Sequence, residues 1–120
     1  MKILQFEDKA TKQVAISRQL PLDEIESVTN LKDGINKLPG DYDLIITDMW
    51  YPKYEGGKDN QSGDELIEYI EKYGIDVPVI LISSVDYRYP KIFGCIHFND
   101  DEDWEAELTR LVNKRRQQLT

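Results

Sequence analysis

Two wholly apolar runs, Leu44-Ile45-Ile46 and Val79-Ile80-Leu81-Ile82, constrain the fold of this chain more than any other feature of it. A strand with one face in water alternates apolar and polar residues, whereas a strand covered on both faces does not. Both runs therefore predict central strands of a parallel sheet with helices on either side. Each also ends on oxygen. The first leads through Thr47 to Asp48 and is turned aside by Trp50, Tyr51 and Pro52, and the second, opened by Pro78, ends at Ser83 and Ser84.

The remaining segments supply the alternating partners such a sheet needs. Lys2 to Phe6 is a short apolar strand running into Glu7 and Asp8. Lys9 to Leu20 suits a helix, with Ala10, Val14 and Leu20 beside Ala15 and Ile16, and Pro21 closes it. Ile25 to Val28 is a brief strand, after which Asn30 caps a helix carrying Leu31, Ile35 and Leu38. Lys53 to Gln61 is polar, contains two glycines and lacks a period, so it is predicted to be a loop overhanging the strand ends. Ser62 with Glu65 reads as a capping box opening a helix with Leu66, Ile67 and Ile70 on its buried stripe. Val85 to Phe93 is interrupted by Pro90, which allows one helical turn at most. Cys95 to Phe98 makes a last strand, and Asn99 to Asp101 offer caps for a helix reaching Gln117 with Trp104, Leu108 and Leu111 on one face.

Strands alternating with helices define the α/β class. For five strands the expected architecture is a flavodoxin-like three-layer sandwich, a parallel sheet in the order 2-1-3-4-5, here with the fourth helix reduced. At 120 residues the chain is expected to form a single domain, 1–120, with no output domain. Ligands of such sheets bind at the carboxyl ends of the strands, at the switch point between strands one and three. Those strands carry Glu7, Asp8 and Asp48.

Charge and composition narrow the function. A net charge of -8 argues against direct nucleic-acid binding, and the one basic cluster, Lys114, Arg115 and Arg116, falls in the last turns of a helix, where cations oppose the dipole. One cysteine, Cys95, and one histidine, His97, provide neither a disulfide nor a zinc set. No apolar run reaches the roughly 18 residues of a membrane span, and the N-terminus turns acidic too early for a signal peptide, so the cytoplasm is the expected location. Neighbouring strands lie about 4.8 Å apart, which puts three carboxylates in one pocket. A hard divalent cation resolves their repulsion, and an all-oxygen set suits Mg2+, with the backbone carbonyl of Trp50 as a further ligand.

The acidic pair after Lys2-Ile3-Leu4, the stretch Asp43 to Pro52, and Pro78 to Ser84 together resemble a response-regulator receiver domain of two-component signalling, over essentially the whole chain. The resemblance implies that Asp48 accepts a phosphoryl group, that Glu7 and Asp8 hold Mg2+, and that Ser83 hydrogen-bonds the phosphoryl. It implies a histidine kinase or phosphotransfer protein as donor and a downstream protein as partner. The family pattern places a lysine near the end of the fifth strand, where this chain has Phe98 and Asn99; Lys91 is the nearest lysine in sequence. Together with the reduced fourth helix, that leaves a pseudo-receiver, an interaction module independent of phosphorylation, as the alternative. An aspartyl-nucleophile phosphatase would need a second acid two residues after Asp48, and Trp50 stands there. Each of Trp50, Tyr51, Tyr54, Tyr87 and Tyr89 is expected first as a core or loop anchor, while as an exposed cluster rimming the acidic pocket they would suit a protein partner.

Overall fold

In chain order the elements are β1 (Lys2–Phe6), α1 (Ala10–Arg18), β2 (Glu24–Val28), α2 (Leu31–Lys37), β3 (Leu44–Thr47), β4 (Tyr51–Pro52), β5 (Asp59–Asn60), α3 (Ser62–Lys72), β6 (Val79–Ser83), β7 (Gly94–His97) and α4 (Trp104–Gln118). The structure is a computed structural model and describes residues 1–120. Five strands form one sheet in the order β2-β1-β3-β6-β7, with every pair parallel. With only those five counted, this is the expected 2-1-3-4-5 order. β1 and β3 are neighbours, in the register Phe6↔Thr47, so the residues that follow them emerge side by side.

The apolar runs fail to alternate because the sheet has a core on each face. Leu44 and Ile46 enter a cluster with Ile16 of α1 and Leu108, Leu111 and Val112 of α4. Ile45, between them, enters the opposite cluster with Leu31 of α2, Leu66 of α3 and the ring of Tyr51. Burial of some twenty apolar side chains in two layers is what drives folding here.

Several local features differ from what the sequence suggests. On α1 the buried positions are Lys12 and Ile16, followed four residues later by Leu20, while Val14 is 49% exposed. The buried stripe thus contains a lysine. Asn30 caps α2 as expected, its Oδ1 accepting the Asp33 N–H at 2.9 Å. The capping box does not form: Ser62 lies within the first turn of α3 and donates its hydroxyl to the Tyr51 carbonyl at 2.6 Å. The cap of α4 is Asp103, which accepts the Ala106 N–H at 3.0 Å.

The segment Lys53 to Gln61 is not an open loop over the strand ends. Its flanks pair as the antiparallel ribbon β4–β5, and the Lys53 carbonyl accepts the Lys32 N–H of α2 at 2.9 Å. Tyr51 anchors the ribbon, fully buried with its hydroxyl 2.9 Å from Thr47 Oγ1. Between β6 and β7 no helix forms. Residues 84–93 run as a strap, and beside them lies an apolar groove of about 780 Å³ lined in part by Ile67, Ile70, Ile75, Val79, Ile92 and Phe93.

One glycine sets the height of α3 against the site. Gly63 donates its N–H to the Met49 carbonyl at 3.0 Å, and a Cβ there would lie 2.3 Å from the Asp48 carbonyl oxygen and 2.8 Å from Met49 Cα. Both are backbone atoms that cannot turn aside. Gly63→Ala should therefore destabilise the protein by about 2 kcal/mol or more, an overpacking cost. Urea unfolding checks this, with Gly74→Ala, at φ +60 and with nothing within 4 Å, expected to lose only about 1 kcal/mol.

Candidate functional site

Glu7 and Asp8 follow β1, Asp48 follows β3, and Ser83 ends β6, so the sheet brings four of the expected site residues to one edge. Glu7 is 1% exposed and Asp48 8%. Asp48 is held by its own turn, Oδ1 accepting the Met49 N–H at 2.7 Å, and its N–H donates to the Phe6 carbonyl at 3.1 Å. Glu7 Oε2 accepts the Lys9 N–H at 3.0 Å. A cleft of about 290 Å³ opens beside Asp48, lined by Lys9, Thr11, Lys12, Ser84 and Phe98.

The side chain that organises this pocket is Lys12, which the sequence analysis passed over. Its Nζ lies 3.3 Å from Glu7 Oε1, 3.3 Å from Asp48 Oδ1, donates to the Ile82 carbonyl at 2.9 Å and sits 4.8 Å from the centre of the Phe98 ring. The lysine is 8% exposed. A buried ammonium is costly unless paired and hydrogen-bonded, and these contacts supply both. The signal was present in the sequence: Lys12, Ile16 and Leu20 recur at a spacing of four, which puts a cation on the buried face. Lys91 plays no part, since its Nζ is exposed and 3.6 Å from Glu71.

The other expected residues are arranged as follows. Ser83 is buried, and its Oγ accepts the Val85 N–H at 3.3 Å, while Ser84 forms the wall of the cleft. Trp50 is 43% exposed and donates its indole N–H to the Tyr87 hydroxyl at 2.9 Å. Tyr89 donates to Asp64 Oδ1 at 2.9 Å, so the strap is pinned to both the β3 turn and α3. Of the aromatic rim, Tyr51 belongs to the core and Tyr54 stands apart in the β4–β5 turn. His97 lies beside Ser84 and Asn99. The basic residues at the end of α4 have partners within the fold: Arg115 donates to the Asp43 carbonyl at 2.8 Å, Arg116 pairs with Asp23 at 2.6 Å, and Lys114 lies over Phe93.

The carboxylates offer the hard oxygens that Mg2+ takes; Asp8 Oδ1 is buried with no hydrogen-bond partner, and Glu7 Oε1 has only its ion pair with Lys12. In donor type and in unmet demand the residues fit a divalent cation. In the present arrangement, however, no three acidic, histidine or cysteine side chains are gathered closely enough to hold one. Glu7 and Asp48 turn their oxygens to Lys12 instead.

In fold the chain is similar to response-regulator receiver domains. The structure superposes on a response regulator receiver protein from Pseudoalteromonas atlantica with a TM-score of 0.79 at 18% identity, covering 100% of both chains. It matches response regulator protein TrrA from Thermotoga maritima, solved in complex with Mg(2+)-BeF, with a TM-score of 0.71 at 24% identity, over 95% of this chain and 97% of that one. RcsB from Salmonella enterica serovar Typhimurium, solved bound to promoter rprA, matches with a TM-score of 0.76 at 18% identity over 98% of this chain, which spans 62% of the length of RcsB. No family model and no curated protein sequence matches the chain. At these identities the likeness is one of fold. No helix is long and apolar enough to cross a membrane.

The pocket's charge should be visible as pH-dependent stability. Burial pushes the Glu7 carboxyl up to about 7, Asp48 adds to the rise, and Lys12 and the Lys9 N–H oppose it. A carboxyl raised in the folded state stabilises the fold while it holds its proton, fully below the unfolded value near 4.5, and loses that contribution as pH rises through 7. In metal-free buffer the unfolding free energy should fall by about 2 kcal/mol between pH 5.5 and 8. Urea titrations test this, and Glu7→Gln should flatten the decline.

Proposed function

We propose that this chain is a receiver module that accepts a phosphoryl group on Asp48 and passes the change to a protein partner. The observation that carries the reading is the placement of Asp48: a buried, backbone-fixed carboxylate at the end of the central strand, opening onto a cleft walled by Ser84 and Lys9 and flanked by Glu7. The likeness in fold to response regulators supports it.

In the reaction an Asp48 carboxylate oxygen attacks phosphorus, forming the new P–O bond as the bond from phosphorus to the donor breaks. The electron pair leaves with the donor: to the ring nitrogen of a phosphohistidine, which takes up a proton, or to the carboxylate of an acyl phosphate, which needs none. Catalysis of such a loose displacement is mostly positioning and charge. The hydrogen bond from Met49 N–H and the Gly63 contact behind the turn fix the direction of Asp48. Glu7, Asp8, Asp48 and the Trp50 carbonyl would hold Mg2+, which offsets charge on the transferring oxygens. Ser83 and Ser84 offer hydroxyls at the neighbouring strand end, and the donor is a histidine kinase or phosphotransfer protein in the cytoplasm. The tyrosine strap, with Tyr87 on Trp50 and Tyr89 on Asp64, lies where it would feel a change at Asp48 and offers a surface to the downstream protein.

Incubation with Mg2+ and acetyl phosphate should add one phosphoryl group by intact mass, and Asp48→Asn should take none. An unmodified wild-type protein under those conditions would favour the phosphorylation-independent module instead.

A further inference from the structure

We propose that Lys12 is the resident cation of this pocket: it occupies the seat between Glu7 and Asp48 that a divalent ion would take, and yields that seat to become the cationic partner of a phosphoryl group on Asp48. The second half of this inference rests on the receiver reading; the first does not.

The geometry carries it in three steps. Lys12 is tied to four of the five strand ends at this edge, through Glu7 after β1, Asp48 after β3, Ile82 in β6 and Phe98 after β7. An ammonium reaching across from α1 to that point meets the need of the acidic edge for positive charge. Next, the oxygens it approaches, Glu7 Oε1 and Asp48 Oδ1, belong to the carboxylates a hard divalent cation would use. A metal ion drawing on those oxygens would meet the ammonium as a like charge, so lysine and metal compete for them. Finally, Lys12 already lines the cleft into which a group on Asp48 would project, and it has long, rotatable reach. A phosphoryl dianion there is a stronger partner than either single carboxylate.

Phe98 completes the arrangement. It stands where the resemblance would put a lysine, and here its ring face holds the ammonium of Lys12 instead of supplying one. Phe98 is fixed in turn, its N–H donating to the Ser83 carbonyl at 2.7 Å and its ring lying 4.7 Å from that of Trp104. The chain thus delivers a cation to this place from the helix on one side of the edge and not from the strand on the other.

Three proteins test the proposal: wild type, Lys12→Met, and the double variant Lys12→Met/Phe98→Lys, which brings an amine back from β7. Mg2+ is titrated against Trp50 fluorescence at pH 8.5, where protons compete least. Lys12→Met should bind Mg2+ about tenfold more tightly than wild type. With acetyl phosphate and saturating Mg2+, its adduct at Asp48 should form about tenfold more slowly, and the double variant should recover most of that rate. A residue that only filled space would not be replaced by an amine from another strand.

An unchanged Mg2+ affinity in Lys12→Met overturns the proposal, as does an unchanged rate of adduct formation. If no protein takes a phosphoryl group yet Lys12→Met binds Mg2+ more tightly, the receiver reading fails and the seat of Lys12 stands. Wild type provides a check that needs no variant. Acetylation of Lys12 by acetic anhydride, read by peptide mass, should rise severalfold when Mg2+ is added, and no rise would contradict the exchange.

Discussion

The buried ammonium of Lys12, set between Glu7 and Asp48, is the contact on which the rest of the site depends. Two carboxylates at the carboxyl ends of adjacent strands cannot both ionise in a closed pocket without a cation. Here the fold brings its own. The pair costs desolvation on both sides, and the Ile82 carbonyl and the Phe98 ring are what make that burial tolerable. A buried ion pair of this kind is weak evidence for stability and better evidence for function, because an apolar pocket would have been the easier solution.

That contact in turn requires a particular sheet order. Only when β3 lies next to β1 do Asp48 and Glu7 come within reach of one side chain on α1. The two-sided core holds the order in place, since Leu44 and Ile46 are committed to one layer and Ile45 to the other, and a slip of one residue would reverse them. Gly63 then lets α3 press against the Asp48 turn, and Tyr51 locks the ribbon that follows it. The helix missing between β6 and β7 removes packing only from the far side of the sheet, where the apolar groove lies, and leaves the strand ends intact.

Much of this was legible in the sequence for physical reasons. Unbroken apolar runs specify strands covered on both faces, and their alternation with helical segments specifies parallel order; from those two facts came the sheet and the emergence of Glu7, Asp8 and Asp48 at one edge of it, though not the gathering of their side chains into one cluster. Pro90 correctly announced the lost helix. Lys12 was missed because the stripe of α1 was read through Ala10 and Val14, both exposed, and a lysine is ordinarily assigned to solvent. The capping box at Ser62 and Glu65 failed because the hydroxyl had a better acceptor in the Tyr51 carbonyl. Residues 53–61 looked like an open loop because a ribbon of two short strands leaves almost no periodic trace. In each case a tertiary partner outweighed the local signal.

The central claim is that one lysine on α1 serves as counter-ion at rest and as phosphoryl partner when the site is loaded. A crystal structure of the protein with Mg2+ and beryllium fluoride, which mimics the phosphoryl group on the aspartate, addresses it most directly. The predicted result is a Lys12 ammonium withdrawn from Glu7 and hydrogen-bonded to a fluorine on Asp48, with Phe98 still beneath it. A Lys12 that remains seated on Glu7 and Ile82 while the fluoride finds other partners would contradict it.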